Sequence, residues 1–109
     1  MTYTCEGSDQ FFNGAIMAWF VQDRWGNEIT LTQERWQHIA EGHWEIKNRR
    51  ADVLKTIRRG TRKQYPDDPT RYRYALKFPD LPYNYTHIFV IVRLANNKFI
   101  ITAYPKYVR

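Results

Sequence analysis

Residues 85–104 form two segments rich in apolar, β-forming side chains, and these segments flank the pair Asn96-Asn97. Asparagine tolerates positive φ, so this pair suits a two-residue turn that joins the segments as a β-hairpin. In that hairpin Ile101 lies opposite Val92, and one face is wholly apolar. The other face carries His87, Phe89, Ile91, Arg93, Thr102 and Tyr104. One face of this sheet is apolar and the other carries histidine, tyrosine, threonine and arginine, so the second face is predicted to serve binding or catalysis.

Two helices are predicted before this hairpin. Thr32 has the side chain of a helix N-cap, and the first helix continues to about Glu41. Its inward stripe has the i, i+3, i+4, i+7 spacing of a buried face and consists of Trp36, Ile39, Ala40 and His43. The second helix runs from about Asn48, the expected N-cap, to Arg59, and Gly60 ends it.

Strands account for most of the remaining pattern. Residues 15–22 and 28–31 form a short N-terminal β-hairpin, and residues 61–65 and 70–78 form two strands before the C-terminal hairpin. This order predicts an α+β fold in which two N-terminal helices pack on one face of a roughly four-stranded antiparallel sheet. Residues 1–13 are polar without a clear period and are expected to be disordered, so residues 14–109 form the single domain.

The net charge of +6 is divided unevenly along the chain. Residues 1–46 have two basic and seven acidic side chains, whereas residues 47–109 have fifteen basic and four acidic ones. Tyrosines are interspersed with the basic residues between positions 62 and 77. Basic side chains neutralise phosphates and aromatic rings stack on unpaired bases, so this part of the chain favours RNA as a partner over a merely solvated surface.

The composition argues against several other classes of protein. Cys5 is the only cysteine, which rules out an internal disulfide and gives no sign of secretion. The apolar run from Ala15 to Val21 is too short to span a bilayer, so a cytoplasmic protein without membrane contact is expected. The sequence has no histidine–cysteine cluster and no glycine-rich phosphate loop, and the expected site therefore uses no metal and no cofactor.

Histidine, tyrosine and arginine side chains can together cleave RNA without a metal ion. A base takes the proton of the ribose 2′-OH, a cation stabilises the charge at phosphorus, and an acid protonates the leaving 5′ oxygen. The candidate acids and bases are His43, at the end of the inward helical stripe, and Tyr104 with His87 beside it. The candidate phosphate-binding residues are Arg71, Arg73, Arg93 and Lys106. A histidine held in the core and a solvated basic edge are the structural alternatives.

The segment Ile29–Glu45 resembles the opening LT-x-E-R-W-x-H-I-x-x-x-H-P-E of small bacterial and phage proteins in the barnase–EndoU–colicin–RelE-like nuclease superfamily. The second helix and the closing strands of that superfamily are similar to Val53–Ile57, Arg71–Tyr74 and Ile101–Pro105. The similarity covers nearly the whole domain, from about Phe20 to Lys106. Trp44 departs from the pattern, which usually has proline at this position.

The resemblance implies the same two-helix, four-stranded fold and a metal-independent endoribonuclease of the toxin or phage-effector type. It makes a protein inhibitor or antitoxin a candidate partner beside RNA. Its helical histidines correspond to His38 and His43, its basic strand residue to Arg71 or Arg73, and its closing-strand hydroxyl to Thr102 or Tyr104. A non-catalytic RNA- or protein-binding domain on the same scaffold is the alternative. A structural or inhibitory protein, which would use exposed tryptophans and the acidic N-terminal part, is a third reading.

Overall fold

The fold is seen in a computed structural model that describes residues 2–3, 9–13 and 16–109, with side chains from residue 17 onward. The strands are β1 (Thr2–Tyr3), β2 (Asp9–Asn13), β3 (Ile16–Gln22), β4 (Glu28–Thr32), β5 (Thr61–Tyr65), β6 (Asp68–Lys77), β7 (His87–Leu94) and β8 (Lys98–Lys106). The helices are α1 (Gln33–Gly42) and α2 (Arg50–Arg59), with a 3₁₀ turn, Trp44–Ile46, between them. None of the helices in the described part of the chain is long and apolar enough to cross a membrane.

The eight strands of the described residues belong to one sheet, in the order β1-β2-β3-β4-β8-β7-β6-β5. β5 to β8 form the antiparallel block that the sequence predicts, but β4 joins β8 in parallel through the pair Thr30↔Phe99. The predicted architecture, two helices on one face of a four-stranded antiparallel sheet, was therefore wrong, because the N-terminal hairpin extends the same sheet and makes it mixed. β4 pairs with backbone groups at the edge of β8, and such pairing leaves no pattern in the side chains of either strand.

One hydrophobic core joins both helices to the sheet. α1 contributes Trp36 and Ile39, and α2 contributes Val53, Leu54 and Ile57. Alternate residues of the strands complete the core, namely Trp19, Val21, Ile29, Leu31, Tyr74, Ile88, Val90, Val92, Ile100 and Ala103. The residues between them on each strand point away from this core, because successive side chains of a strand alternate. That alternation determines where the candidate site lies.

Local chemistry determines the ends of the helices. Thr32 caps α1 as predicted, and its Oγ1 accepts a hydrogen bond from the Arg35 amide at 3.1 Å. The N-cap of α2 is Arg49 rather than the predicted Asn48. Gly60 follows α2 as predicted, and a Cβ added there would lie 2.5 Å from the carbonyl oxygen of Ala75 in β6. Only glycine permits this close approach of the end of α2 to the sheet.

The C-terminal hairpin differs from the prediction near its turn. Its outer half pairs as predicted, as in Ile91↔Thr102, but Val92 pairs with Ile100 rather than with Ile101. The loop between β7 and β8 has three residues instead of two, and a β-bulge shifts the register by one. Ile101 is the extra residue and is half-buried, whereas Ile100 is 1% exposed in the core. The prediction that Ile101 belongs to the apolar face was wrong.

Ile100→Ala is expected to lower the free energy of unfolding by about 2–5 kcal/mol, because it removes a fully buried side chain from the core. Ile101→Ala is expected to cost clearly less, since the side chain at the bulge is already partly exposed. Urea denaturation of the two variants measures the difference. Equal losses would contradict the observed register.

A buried carboxylate in the turn between β3 and β4 ties one side of the sheet to the other. Asp23 is 6% exposed and accepts hydrogen bonds from the amides of Trp25 at 2.9 Å and Asn27 at 2.8 Å. The hydroxyl of Tyr74 in β6 also donates to Asp23 Oδ2, and Nη1 of Arg62 in β5 lies 3.4 Å from the same oxygen. Because β3 is not a neighbour of β5 or β6 in the sheet, this cluster, here called the Asp23 cluster, joins elements that backbone pairing leaves apart.

The predicted disorder of the N-terminus falls partly on residues that are not described. Of residues 1–13, residues 1 and 4–8 lie outside the described part of the chain. The backbone of β1 pairs with β2, and β2 pairs with β3, both antiparallel. The prediction for residues 1–13 as a whole stays a prediction.

Candidate active site

The side chains of β6, β7 and β8 that alternate with the core residues form a second surface, here called the outer face. It consists of Arg71, Arg73, His87, Phe89, Ile91, Arg93, Thr102 and Tyr104. Cross-strand pairing puts Arg73 beside Ile91, and Phe89 beside Tyr104. The bulge lies closer to the turn than Phe89, Tyr104, Ile91 and Thr102, so the predicted hairpin register holds for these residues, whereas Arg93 lies beyond the bulge and pairs with Phe99.

Phe89 is at the centre of the outer face and connects three of the predicted site residues. The guanidinium carbon of Arg73 lies 4.6 Å from the centroid of the Phe89 ring. The Tyr104 and His87 rings both meet Phe89 edge to face, with centroids 5.7 and 6.3 Å away. These contacts leave Phe89 only 7% exposed although it lies outside the main core. Phe89 therefore fixes the spacing of a cation, a phenol and an imidazole.

His43 reaches the same cluster from the end of α1. It is the C-cap residue of the helix, and its amide donates to the Ile39 carbonyl at 2.8 Å. Its ring lies 5.9 Å from the Tyr104 ring, measured between centroids. Among the described residues, β4 pairs with β8 only at Thr30↔Phe99, so the later part of β8 is free to contact α1. The helical stripe that predicted an inward His43 thus brings it to the edge of β8.

A depression of about 360 Å³ opens on the outer face beside this cluster. Its lining includes His87, Phe89 and three cationic side chains, Arg59, Arg73 and Lys77, and within the described chain no acidic side chain lines it. A smaller hollow of about 160 Å³ shares Arg73 with it and is also lined by Lys63, Gln64, Tyr65 and Pro66. Cationic side chains along an open groove attract a polyanion.

The surroundings of His87 and Tyr104 determine their protonation. Burial lowers the pKa of His87, and the charge of Lys77 lowers it further. Burial raises the pKa of Tyr104, and Tyr65 adds to this effect while Arg73 opposes it. Both shifts favour the neutral side chain, an uncharged imidazole at His87 and a protonated phenol at Tyr104. Thr86 Oγ1 lies 2.7 Å from Nδ1 of His87 and orients the imidazole.

Two predicted catalytic residues, His38 and Thr102, make none of the ring contacts described above. His38 is exposed in the middle of α1, whereas His43 ends the helix beside Tyr104. Thr102 is half-buried opposite Ile91, two residue pairs nearer the turn than Tyr104. The resemblance names both His38 and His43, and the geometry favours His43. The resemblance leaves the hydroxyl as Thr102 or Tyr104, and the geometry favours Tyr104.

The remaining predicted phosphate ligands are spread along the outer face. Arg71 lies over the Tyr65 ring at 5.6 Å, and its Nε is 3.7 Å from Asp68 Oδ2. Arg93 is exposed and in register with Arg71 on the neighbouring strand. Lys106 is exposed at the end of β8. None of these three residues lines the 360 Å³ groove. Within the described chain, Arg73 is the one predicted phosphate ligand with a cation–π contact to Phe89.

Three residues that shape the groove, Phe89, Arg59 and Lys77, have no role predicted from the sequence. Phe89 lies on the predicted outer face between His87 and Ile91, and that position was the only signal for it. Arg59 and Lys77 look like solvent-facing charges at the ends of α2 and β6. They converge only because the end of α2 approaches β6 at Gly60, which no sequence pattern reveals.

The chemistry that the site can supply is that of acids, bases and cations. In the part of the chain that the structure describes, no three His, Cys, Asp or Glu side chains are grouped so that they could hold a metal ion. The cations of the groove can hold an anionic group such as a phosphate. Comparison with protein-family models, curated proteins and solved structures gives no match to this chain. The geometry of the site is therefore the basis for a functional proposal.

Proposed function

We propose that this protein is a small endoribonuclease that cleaves RNA by attack of the ribose 2′-OH, without a metal ion. One arrangement carries the proposal: the rings of His43 and Tyr104 are 5.9 Å apart, and Arg73 lies on the Phe89 ring that Tyr104 also contacts. A base, an acid and a cation are the groups that this reaction requires. Three separate elements supply them, so the tertiary fold rather than a local motif assembles the site.

In the proposed reaction His43 takes the proton from the 2′-OH, and the 2′ oxygen forms a bond to the adjacent phosphorus. Arg73 stabilises the negative charge that develops on the phosphoryl oxygens. The bond from phosphorus to the 5′ oxygen breaks, and Tyr104 protonates this oxygen, which is more basic than a phenolate. The products are a 2′,3′-cyclic phosphate and a 5′-hydroxyl, and a proton passes from His43 to Tyr104 to restore the enzyme. His87, on the same Phe89 ring, is the substitute acid or base.

The proposal includes membership of the barnase–EndoU–colicin–RelE-like nuclease superfamily and a role as a toxin or phage effector. Support comes from two of the segments that resemble the superfamily, since the end of α1 with His43 and β8 with Tyr104 lie side by side. A cytoplasmic location, where RNA is accessible, belongs to that role. So does a protein inhibitor or antitoxin as a second partner.

A non-catalytic RNA-binding domain is the second candidate. The observation that favours it is the groove itself, because Arg59, Arg73 and Lys77 can bind a phosphate backbone without any acid or base. The two candidates agree on binding to RNA and differ on whether a bond is broken.

Incubation of the purified protein with total RNA in EDTA separates the candidates. The nuclease is expected to cut RNA and to leave 2′,3′-cyclic phosphate ends. His43→Ala protein, purified in parallel, reports any contaminating ribonuclease. Intact RNA with salt-dependent binding would favour the second candidate, and intact RNA without binding would contradict both.

A further inference from the structure

Two aromatic side chains next to the proposed active site are highly exposed. Trp44 follows His43 directly in the chain and is 54% exposed, and Tyr83 in the loop between β6 and β7 is 66% exposed. Their rings meet edge to face, with centroids 5.7 Å apart. This pair, here called the aromatic platform, presents a large apolar surface to solvent although each residue has an aromatic neighbour.

Hydrogen bonds of the 3₁₀ turn fix the backbone on the Trp44 side of the platform. The Ile46 amide donates to the His43 carbonyl at 3.0 Å, and the Lys47 amide donates to the Trp44 carbonyl at 3.1 Å. Consecutive α-carbons are about 3.8 Å apart, so the indole is attached one residue from the imidazole of the proposed base. A nucleotide bound at His43 therefore lies within reach of Trp44.

The Tyr83 side of the platform is held by an ion pair. Asp80 accepts hydrogen bonds from both terminal nitrogens of Arg49, at 2.7 and 3.4 Å, and Arg49 is the N-cap of α2. The loop between Asp80 and β7 is thereby fixed beside the 3₁₀ turn. Tyr83 and Asn84 have φ values of 55° and 65°, in the left-handed region that bulky residues seldom adopt. Such a conformation persists only where surrounding contacts enforce it.

We propose that the aromatic platform stacks on an unpaired base of the RNA beside the bond to be cut, so that the substrate is single-stranded RNA. The inference rests on the proposed function and adds a substrate class to it. Unpaired bases stack readily on aromatic side chains, whereas the bases of a duplex are already stacked on one another. Arg73 and the groove would hold the phosphates while Trp44 holds a base.

The charge of the neighbouring surface favours RNA over a protein as the ligand of the platform. The groove contributes Arg59, Arg73 and Lys77, and its lining in the described chain has no acidic side chain. Near the platform, the carboxylate of Asp80 is already paired with Arg49, and Glu45, the residue after Trp44, is half-buried. A ligand that combines flat apolar rings with regularly spaced negative charges matches both surfaces together.

Binding of short 2′-O-methyl oligonucleotides tests the platform independently of cleavage, because the blocked 2′ oxygen cannot attack. Replacing one base by an abasic residue is expected to weaken binding to the wild-type protein about 5- to 150-fold at one position, the effect of one lost stacking contact. Trp44→Leu keeps an apolar side chain but has no aromatic face. The Trp44→Leu protein should bind the intact oligonucleotide as weakly as the wild-type protein binds the abasic one. Removal of the base should not weaken binding to Trp44→Leu any further. Trp44→Phe, which has an aromatic ring, should restore most of the affinity.

The remaining outcomes distinguish the platform from the nuclease. A hairpin that carries the same sequence in its base-paired stem should bind more weakly than the single-stranded oligonucleotide. Binding that tolerates base removal at every position, or equal losses for wild type and Trp44→Leu, would overturn the platform and point to a protein ligand. The scan with the wild-type protein does not depend on whether the variants fold. If binding of the oligonucleotide depends on one base but total RNA stays intact in EDTA, the platform is supported and only the proposed nuclease activity is contradicted.

Discussion

Asp23→Ala is expected to lower the free energy of unfolding by about 3–5 kcal/mol, the cost of removing one partner from a buried charged cluster. The substitution leaves the Arg62 guanidinium and the Tyr74 hydroxyl without their shared acceptor. It also removes the acceptor of the Trp25 and Asn27 amides, on which the turn between β3 and β4 depends. Urea denaturation followed by tryptophan fluorescence measures the loss.

Asp67→Ala is the matched control for this experiment. Asp67 is exposed in the turn between β5 and β6, and its replacement is expected to change the free energy of unfolding by no more than about 0.5 kcal/mol. If Asp23→Ala were as mild as the control, the Asp23 cluster would not be what joins the two sides of the sheet.

The Asp23 cluster also makes stability depend on pH. Burial would raise the pKa of Asp23, but hydrogen bonds from Tyr74, Asn27 and Trp25 outweigh it, and the pKa lies below its ordinary value of 3.8. Because folding lowers this pKa, the contribution of Asp23 to stability is complete above about pH 4 and is lost as the pH falls through the folded-state pKa. Asp23→Asn removes this titration, so its stability should fall less steeply in acid than that of the wild type.

His43→Ala and Tyr104→Phe are each expected to lower the rate of RNA cleavage by about 10²–10⁴-fold, as is typical for loss of a positioned base or acid. Both side chains are half-buried and lie outside the main core, so the melting temperature should stay close to that of the wild type. Single-turnover cleavage and thermal denaturation of the same preparations measure the two quantities.

His38→Ala is the control for His43→Ala, because it removes an exposed histidine from the same helix. Its cleavage rate should equal that of the wild type. The opposite ranking of the two histidines would show that His38 is the base. If His43→Ala unfolds the protein or leaves the rate intact, His43 serves packing, and the acid–base pair must be sought around His87.

Local signals predicted the elements of this fold but not the way the sheet is assembled. Thr32 and Gly60 specify helix ends through short-range chemistry, and the alternation in β6 specifies a strand, so these features were confirmed. The parallel pairing of β4 with β8 uses backbone groups that every residue has, and no side-chain pattern announces it. Asn96-Asn97 fits a two-residue or a three-residue loop equally well, which is why the register near the turn was missed.

The candidate site was predictable as far as strand alternation determines it. Arg73, Phe89 and Tyr104 share the outer face because each lies one residue away from a core position of its strand. The helical stripe gave the direction of His43, but its contact with Tyr104 depends on where α1 ends relative to β8. That distance is a property of the assembled sheet. The exposure of Trp44 depends likewise on the 3₁₀ turn, for which the sequence has no clear signal.

The position of β8 has a consequence for the timing of folding during translation. It is the last of the described strands to be synthesised, yet it lies inside the sheet, between β4 and β7. A nascent chain that has not reached Lys98 consists of two strand groups with unpaired inner edges, and it lacks Tyr104. The two groups can pair into one continuous sheet only after β8 leaves the ribosome. A ribosome making this protein would thus synthesise most of the described chain before the proposed RNA-cleaving site could form beside its own message.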